Sequence, residues 1–207
     1  MATTLRKSDS AAEVEIGKYL DKNFYPHHVR NLVRYNDITH QMAGQDVKFD
    51  YKQITNMIVD EKAAAHYVNK DLPTFAFEIN FLLQSGQLVD GWFYDNTKAT
   101  QYYLLAWLWA KKDKGFSADE ITKVDLVIIR RSAIIQMLES YNVDHERALR
   151  IATAIRENGT SGIHYRNDAR PFYFFYSSQL AEQPVNIIIK KSKLIELAIG
   201  RHKIQNN

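Results

Sequence analysis

The sequence predicts a mixed α/β fold, of the α+β type, on three observations. Residues 11–23 carry the apolar stripe of an amphipathic helix, and residues 29–110 contain the short alternating or apolar segments that are typical of strands. Two units of a buried strand followed by an amphipathic helix begin at Val124 and at Val185. A chain of 207 residues can bury a sizeable core, so a single domain is expected.

The first predicted element is a helix over residues 11–23, which Pro26 ends. Its apolar residues fall on one stripe, as expected of a helix that packs on a core, and Glu13 lies at the end of this stripe. Glu13 is therefore a candidate to point at a site on the sheet, and Glu15 is the competing choice. A role without catalysis is also open, because Ser10 and Glu13 have the spacing of a capping box.

A β-hairpin is predicted next, after a strand near residues 29–35. Residues 47–51 alternate apolar and polar side chains, which is the pattern of a half-buried strand. Residues 55–62 are rich in β-branched and apolar side chains, which suits a central strand covered on both faces. Asp46 precedes the first of these strands and Asp60 lies near the end of the second, so the pairing of the two strands determines whether the acids meet.

The register of this hairpin decides whether its acidic residues meet. If the turn is centred on Gln53, Asp46 lies directly opposite Asp60, and both side chains share one face of the sheet with Lys62. A slip of one residue would send the two acids to opposite faces.

An acid pair with a lysine beside it suits metal-dependent phosphodiester chemistry. Two close carboxylates repel each other, and a divalent cation relieves the repulsion. The cation activates water, and a nearby lysine positions that water or neutralises developing charge. Asp46, Asp60 and Lys62 supply these parts, although an Asp-Glu-Lys sequence at a strand end is also ordinary solvated charge.

The pattern resembles the PD-(D/E)XK nuclease superfamily, whose members have the restriction-endonuclease-like fold. Asp46 corresponds to the first acid, Asp60-Glu61-Lys62 to the acid-x-lysine motif, and Glu13 to the helix carboxylate that many members carry. Two departures are present: Gln45 stands where the motif has proline, and the acid of the second motif is Asp rather than the commoner Glu. The resemblance covers roughly the first third of the chain.

The resemblance implies a Mg²⁺-dependent endonuclease, of restriction or repair type, that hydrolyses phosphodiester bonds of duplex DNA. Asp46, Asp60 and Glu13 would bind the metal, for which Mn²⁺ is expected to substitute, and Lys62 would orient the attacking water. Two alternatives stay open. One is a non-catalytic nucleic-acid-binding module of the same fold, and the other is a structural or interaction protein.

The same resemblance implies an architecture. It is a central mixed β-sheet flanked by helices, in one nuclease domain over residues 1–207. The catalytic core is expected within residues 1–115, and residues 116–207 are expected to add strand and helix elements. A homodimer is a further expectation, because a duplex has two strands to cut.

The composition excludes several other classes of protein. The chain has no cysteine, which excludes disulfides and cysteine-based zinc sites and agrees with a cytoplasmic location. The N-terminal ten residues lack the apolar segment of a signal peptide, and no apolar run reaches the length of a transmembrane helix. There is no P-loop, dinucleotide-binding fingerprint or nucleophile elbow, and the histidines show no metal-ligand spacing on a shared element.

Affinity for nucleic acid would depend on local basic patches, because the net charge is only +3. Arg130-Arg131 and Lys190-Lys191 each follow a predicted buried strand and precede a serine that is predicted to cap a helix. Basic residues beside a helix N-terminus suit phosphate binding. Such junctions are also common in any α/β protein.

The remaining predicted elements complete the chain. Glu78 lies within the fourth predicted strand and is a secondary candidate for a site carboxylate. A loop is predicted at residues 159–170. Strands are predicted at 74–83 and 101–110, with a helix as the alternative for each. The other elements are a strand at 89–94, a helix at 144–157, and a strand at 172–176 that pairs with residues 185–189.

Overall fold

The computed structural model describes residues 5–205, and the side chains of residues 11–205. Within this range the chain has six α-helices and eleven strands in two sheets, which confirms the mixed α+β class. The elements are, in chain order, α1 (Leu5–Asn23), α2 (Tyr25–His28), β1 (Arg30–Arg34), α3 (Ile38–Met42), β2 (Val47–Tyr51), β3 (Ile54–Ala63), β4 (Thr74–Leu82), β5 (Leu88–Asp90), β6 (Tyr102–Ala110), β7 (Ile121–Arg130), α4 (Arg131–Ser140), α5 (His145–Asn158), β8 (Gly162–His164), β9 (Phe172–Tyr176), β10 (Val185–Lys190), α6 (Lys191–Leu197) and β11 (Gly200–Gln205).

These elements divide into two compact units, each built from separate stretches of the chain. The first unit contains the described residues up to Leu72, Ala99–Arg131, and the described residues from Leu197 onward. The second unit contains Pro73–Lys98 and Ser132–Glu196. The single nuclease domain, with its core at 1–115, stays a prediction.

The first unit is built on a mixed six-stranded sheet in the order β1-β2-β3-β6-β7-β11. The β3 and β6 strands are parallel, whereas the other neighbouring strands are antiparallel. A mixed sheet was expected, and this part of the prediction is confirmed. The restriction-endonuclease-like assignment of that sheet stays a prediction.

The core of the first unit lies between α1 and one face of this sheet. Leu20 of α1 and Phe24, the residue that follows α1, are fully buried in the same apolar cluster as Val47 and Val59. Because successive side chains of a strand point to opposite faces, Glu61 shares the face of Val59, and Asp60 and Lys62 share the other.

The β2–β3 hairpin has the register that the sequence predicts at its open end. Val47 pairs with Val59, and the backbone N–H of Asp46 donates a 3.1 Å hydrogen bond to the carbonyl oxygen of Val59. Asp46 therefore lies across from Asp60.

The turn of the hairpin differs from the predicted one. Tyr51 pairs with Ile54, so Lys52 and Gln53 form a two-residue turn instead of a turn centred on Gln53. The register shifts by one residue between Phe49 and Tyr51, and this irregularity restores the pairing at the open end. Lys52 has a φ of 55°, the left-handed backbone that tight hairpin turns require.

The second unit contains an antiparallel five-stranded sheet in the order β5-β4-β10-β9-β8. The predicted pairing of residues 172–176 with 185–189 is confirmed. Helix α5 contacts β4 and β9, is capped by the Asp144 side chain, and ends at Gly159 with a φ of 68°. The loop predicted at residues 159–170 contains the short strand β8, so that prediction was wrong in part.

Three predicted helix caps are wrong. Helix α1 begins at Leu5, so Ser10 and Glu13 lie within the helix and do not form a capping box at its start. Helices α4 and α6 follow β7 and β10 without a break, so Ser132 and Ser192 are helical residues rather than caps. In each case the helical backbone continues toward the N-terminus past the serine.

The strand predicted at residues 89–94 is shorter than expected. It ends at Asp90, because Gly91 approaches β4 so closely that an added Cβ would lie 2.4 Å from the carbonyl oxygen of Glu78. A turn follows, in which the N–H groups of Tyr94 and Asp95 both donate to the carbonyl oxygen of Gly91. Within the described residues, the helices are too short or too polar to cross a bilayer.

Candidate active site

A cavity of about 480 Å³ lies in the first unit, within the size range of about 300–1,000 Å³ that is usual for small-ligand sites. Residues of α1, of the segment that follows β1, and of the open end of the β2–β3 hairpin line it. Its ionisable lining residues are the acids Glu13, Asp21, Asp46, Asp60 and Glu61 and the bases Lys18, Arg34 and Lys62.

Asp46 is fixed in this cavity by hydrogen bonds of its backbone and of its side chain. Its Oδ2 accepts a 2.7 Å hydrogen bond from the backbone N–H of Glu61, which lies on the neighbouring strand. The chain approaches Asp46 through Gly44, whose φ is 66° and whose carbonyl oxygen accepts a 2.8 Å hydrogen bond from the Thr100 hydroxyl. The carboxylate therefore has one set position at the start of β2.

Asp60 and Lys62 form a close ion pair beside Asp46. The Nζ of Lys62 lies 2.6 Å from Oδ1 of Asp60, whose side chain is 5% exposed. The negative charge of Asp60 acts on the Asp46 carboxyl and contributes to the raised pKa of Asp46. The structure thus brings together the two acids and the lysine that the sequence singled out.

The electrostatics of the trio leave one carboxyl protonated near neutral pH. Burial, and next the negative charge of Asp60, raise the pKa of Asp46 to about 8. Burial acts against the charged form of Lys62, but the charges of Asp60 and Asp46 outweigh it and raise the pKa of the lysine. Lys62 therefore pairs with Asp60, and its charge lowers the pKa of Asp46 less than burial and Asp60 raise it.

The helix carboxylate that lines the cavity is Glu13. Its charge contributes to the raised pKa of Lys62, so it lies within electrostatic range of the trio. Glu15 is engaged elsewhere: its carboxylate binds Nζ of Lys18 at 2.6 Å and accepts a 2.8 Å hydrogen bond from the N–H of Ala118. Of the two alternatives, Glu13 has the position of a site residue.

A second network of charged side chains lines the cavity, and the sequence did not predict it. The Arg34 guanidinium donates two hydrogen bonds to Glu61, at 2.7 and 3.1 Å, and three to Asp21 of α1, at 2.8–3.0 Å. The Tyr25 hydroxyl also donates to Glu61. Arg34 thereby ties α1 to the residue whose N–H holds Asp46.

Little in the sequence identifies this network. Arg34 ends β1, and its neighbour across the ladder is Val47, not an acid. Its two carboxylate partners lie on α1 and on β3, so only the tertiary arrangement brings them together. Gly17 of α1 leaves room for the guanidinium, since a Cβ there would lie 3.4 Å from Arg34.

The remaining predicted site residues do not line the cavity. Glu78 belongs to β4 of the second unit. Arg130 lies over the Tyr102 ring, 5.3 Å from its centroid, and the N–H of Arg131 donates to the carbonyl oxygen of Gln101.

The two lysines predicted to bind nucleic acid lie in the second unit. The Nζ of Lys190 donates a 3.3 Å hydrogen bond to the carbonyl oxygen of Asp168. Lys191 is 8% exposed, which disfavours a direct contact with phosphate. The nucleic-acid-binding role of the four basic residues stays a prediction.

The donor set of the trio fits a hard divalent cation. Mg²⁺ is usually bound by one or two carboxylates, with waters and substrate phosphate oxygens as its other ligands. Among residues 11–205, no three His, Asp or Glu side chains are grouped closely enough to hold a metal ion. A cation at this site would therefore be bound by Asp46 and Asp60. It would balance the negative charge of these two carboxylates, whose repulsion contributes to the raised pKa of Asp46.

Comparisons of the chain with protein-family models, with curated proteins and with solved structures give no match.

Proposed function

We propose that this protein is a Mg²⁺-dependent endonuclease that hydrolyses phosphodiester bonds of DNA, and that its first unit has the restriction-endonuclease-like fold. One observation carries the proposal. The buried Asp46–Asp60 pair, with Lys62 Nζ at 2.6 Å from Asp60, faces a cavity beside a carboxylate-bearing helix. The mixed sheet of the first unit supports the fold assignment.

Four residues of the cavity have a defined task in this proposal. Asp46 and Asp60 supply the carboxylate oxygens that bind the cation, and Glu13 assists from α1. Mg²⁺ held by these carboxylates would supply a water molecule of lowered pKa and would stabilise charge on the phosphate. The Lys62 ammonium orients the attacking water and neutralises charge that develops in the transition state.

The proposal also covers the substrate, the metal, the oligomeric state and the location of the protein. Duplex DNA is the substrate, Mn²⁺ substitutes for Mg²⁺, and a homodimer would cut both strands. A cytoplasmic location is also proposed, on the basis of the cysteine-free sequence.

Cleavage of supercoiled plasmid with Mg²⁺ or Mn²⁺ tests the proposal. Wild type is compared with Lys62→Ala and with Lys62→Met, which keeps most of the buried volume of the lysine. Lys22→Ala is the matched control, because Lys22 is also a lysine of the first unit but is 72% exposed. The expected result is metal-dependent nicking by wild type and Lys22→Ala, abolished by EDTA and by both Lys62 variants. Full cleavage by a folded Lys62 variant would exclude the assigned role.

A second candidate function is a DNA-binding module of the same fold without turnover. The 2.6 Å ion pair with Lys62 occupies a carboxylate oxygen of Asp60 that a cation would need, which favours this second function. Gel-shift experiments separate the two functions. Retarded DNA without cleavage in any metal supports the binding module, and cleavage excludes it.

A further inference from the structure

Two stacked aromatic rings lie directly beside the candidate active site. The Tyr35 and His40 rings have centroids 4.1 Å apart and planes 3° from parallel. Tyr35 lines the cavity, and its backbone N–H donates a 2.9 Å hydrogen bond to the carbonyl oxygen of Asp46. The ring pair is therefore fixed next to one of the proposed metal ligands.

The His40 ring is held in place by Asp37, the residue directly before helix α3. The carboxylate oxygens of Asp37 lie 2.7 and 2.8 Å from Nδ1 of His40, and the same side chain accepts a hydrogen bond from the backbone N–H of His40. Tyr35 is among the residues lining the cavity and His40 is not, so His40 supports the Tyr35 ring from outside the cavity. Rings that are already fixed lose little conformational entropy when a ligand stacks on them.

Two amide side chains accompany the rings. Asn36 and Gln41 are exposed, and both line the same cavity as Tyr35. An amide offers a donor and an acceptor, which can pair with the edge of a nucleobase. An aromatic face with polar groups beside it is the combination with which proteins hold unpaired bases.

We propose that the Tyr35–His40 pair stacks an unpaired nucleobase next to the scissile phosphate. The substrate is then a DNA duplex that carries unpaired bases at the cleavage site, as in an overhanging end, a bulge or a single-stranded stretch. A base inside an intact duplex is stacked on both faces and does not present either face to Tyr35. The inference rests on the proposed nuclease function of the same cavity and specifies the DNA that it acts on.

A binding experiment on non-cleaving protein tests the inference. Lys62→Met is the background, with Mg²⁺ present, and two duplexes are compared that differ only in whether one 2-aminopurine is bulged or paired. Stacking on an aromatic ring quenches the fluorescence of this base. The expected result is quenching of the bulged base and binding on the order of ten-fold tighter than for the paired duplex.

Substitutions of Tyr35 test whether its ring causes the quenching and the preference for the bulged duplex. Tyr35→Ala is expected to lose both the quenching and the preference, whereas Tyr35→Phe keeps both because it keeps the ring. Tyr67→Ala is the matched control, since Tyr67 is a tyrosine of the same unit, 49% exposed, that is not among the residues lining the cavity. Thermal melting of each variant checks that it is folded.

The outcomes separate this inference from the proposed function. Equal affinity for bulged and paired DNA, or unchanged quenching in folded Tyr35→Ala, overturns the stacking site while plasmid cleavage by wild type still supports the nuclease. Absence of both cleavage and DNA binding overturns the nuclease and the stacking site together.

Discussion

Asp46, at the start of β2, lies across from Asp60 on the neighbouring strand of one hairpin, and the charge of Asp60 helps to raise the pKa of Asp46. Lys62 neutralises Asp60, and burial raises the pKa of Asp46 to about 8. The pair thus holds a proton that a divalent cation would displace. This relationship links the stability of the protein, its affinity for metal and its proposed chemistry.

The stability of the metal-free protein should fall as pH rises from about 4 to 8 through the contribution of Asp46. Its folded pKa, about 8, lies above its ordinary value of 3.8. The folded state therefore binds the extra proton in this window, and the stabilisation, full below pH 3.8, is lost as pH rises through 8. Asp46→Asn mimics the protonated acid. In EDTA, its melting temperature relative to wild type should be higher at pH 8 than at pH 5.

Glu120→Gln provides the control for this pH dependence. A hydrogen bond from Lys112 lowers the pKa of Glu120, so its contribution to stability is lost only as pH falls below its ordinary value of 4.5. Its difference from wild type should stay constant between pH 5 and 8. A constant difference for Asp46→Asn as well would contradict the assignment of the proton to Asp46.

Binding of Mg²⁺ should release protons, and Asp60→Asn should abolish the binding. The cation requires the ionised form of Asp46, so its affinity should rise between pH 6 and 8. Calorimetry in two buffers of different ionisation enthalpy measures the proton release directly. Asp125→Asn is the control, because Asp125 is equally buried in the same sheet but pairs with Arg201 at 3.0 Å. Unchanged affinity in Asp60→Asn would exclude its role as a ligand.

Arg34→Ala should destabilise the protein by about 2 kcal/mol. The side chains of Arg34 and Glu61 are 22% and 15% exposed, between surface pairs, worth about 0–1 kcal/mol, and fully buried pairs, whose disruption costs about 3–5 kcal/mol. Arg150→Ala is the control, because its pair with Glu146 is largely exposed and should contribute about 0.3–0.5 kcal/mol. Urea denaturation measures both changes, and equal small values would contradict a structural role for Arg34.

The acid pair could be predicted from the sequence because two local patterns fix it. Alternation over residues 47–51 sets which face each side chain takes, and the lengths of the two strands set the register within one residue. The turn was predicted incorrectly, yet the register shift between Phe49 and Tyr51 compensates for that error. Prediction of the pair therefore succeeded through a bulge that no pattern indicated.

The arrangement around the pair could not be predicted, because it depends on contacts distant in sequence. Arg34 meets Asp21 and Glu61 only once α1 has packed on the sheet. The parallel neighbour of β3 is β6, and the chain between them passes through β4 and β5 of the second unit. Local sequence patterns indicate neither side-chain contacts between distant residues nor the pairing of strands that are far apart in the chain.

Glu13→Gln should lower the rate of metal-dependent cleavage by at least about ten-fold while leaving the fold intact. Glu13 lies on an exposed part of α1, lines the cavity and is within electrostatic range of Lys62. The substitution removes its charge without changing its shape, so the metal-binding carboxylates lose an anionic neighbour. Single-turnover cleavage of a labelled duplex across a range of Mg²⁺ concentrations measures the effect, which should be partly overcome at high Mg²⁺.

Glu15→Gln is the matched control, because it makes the same chemical change two residues along the same helix. The Glu15 carboxylate binds Lys18 and the N–H of Ala118 and is not among the residues that line the cavity. Its loss should lower the melting temperature slightly and leave the cleavage rate unchanged. If Glu15→Gln instead lowers cleavage and Glu13→Gln does not, the helix carboxylate of the site is Glu15, and α1 must rotate when DNA binds.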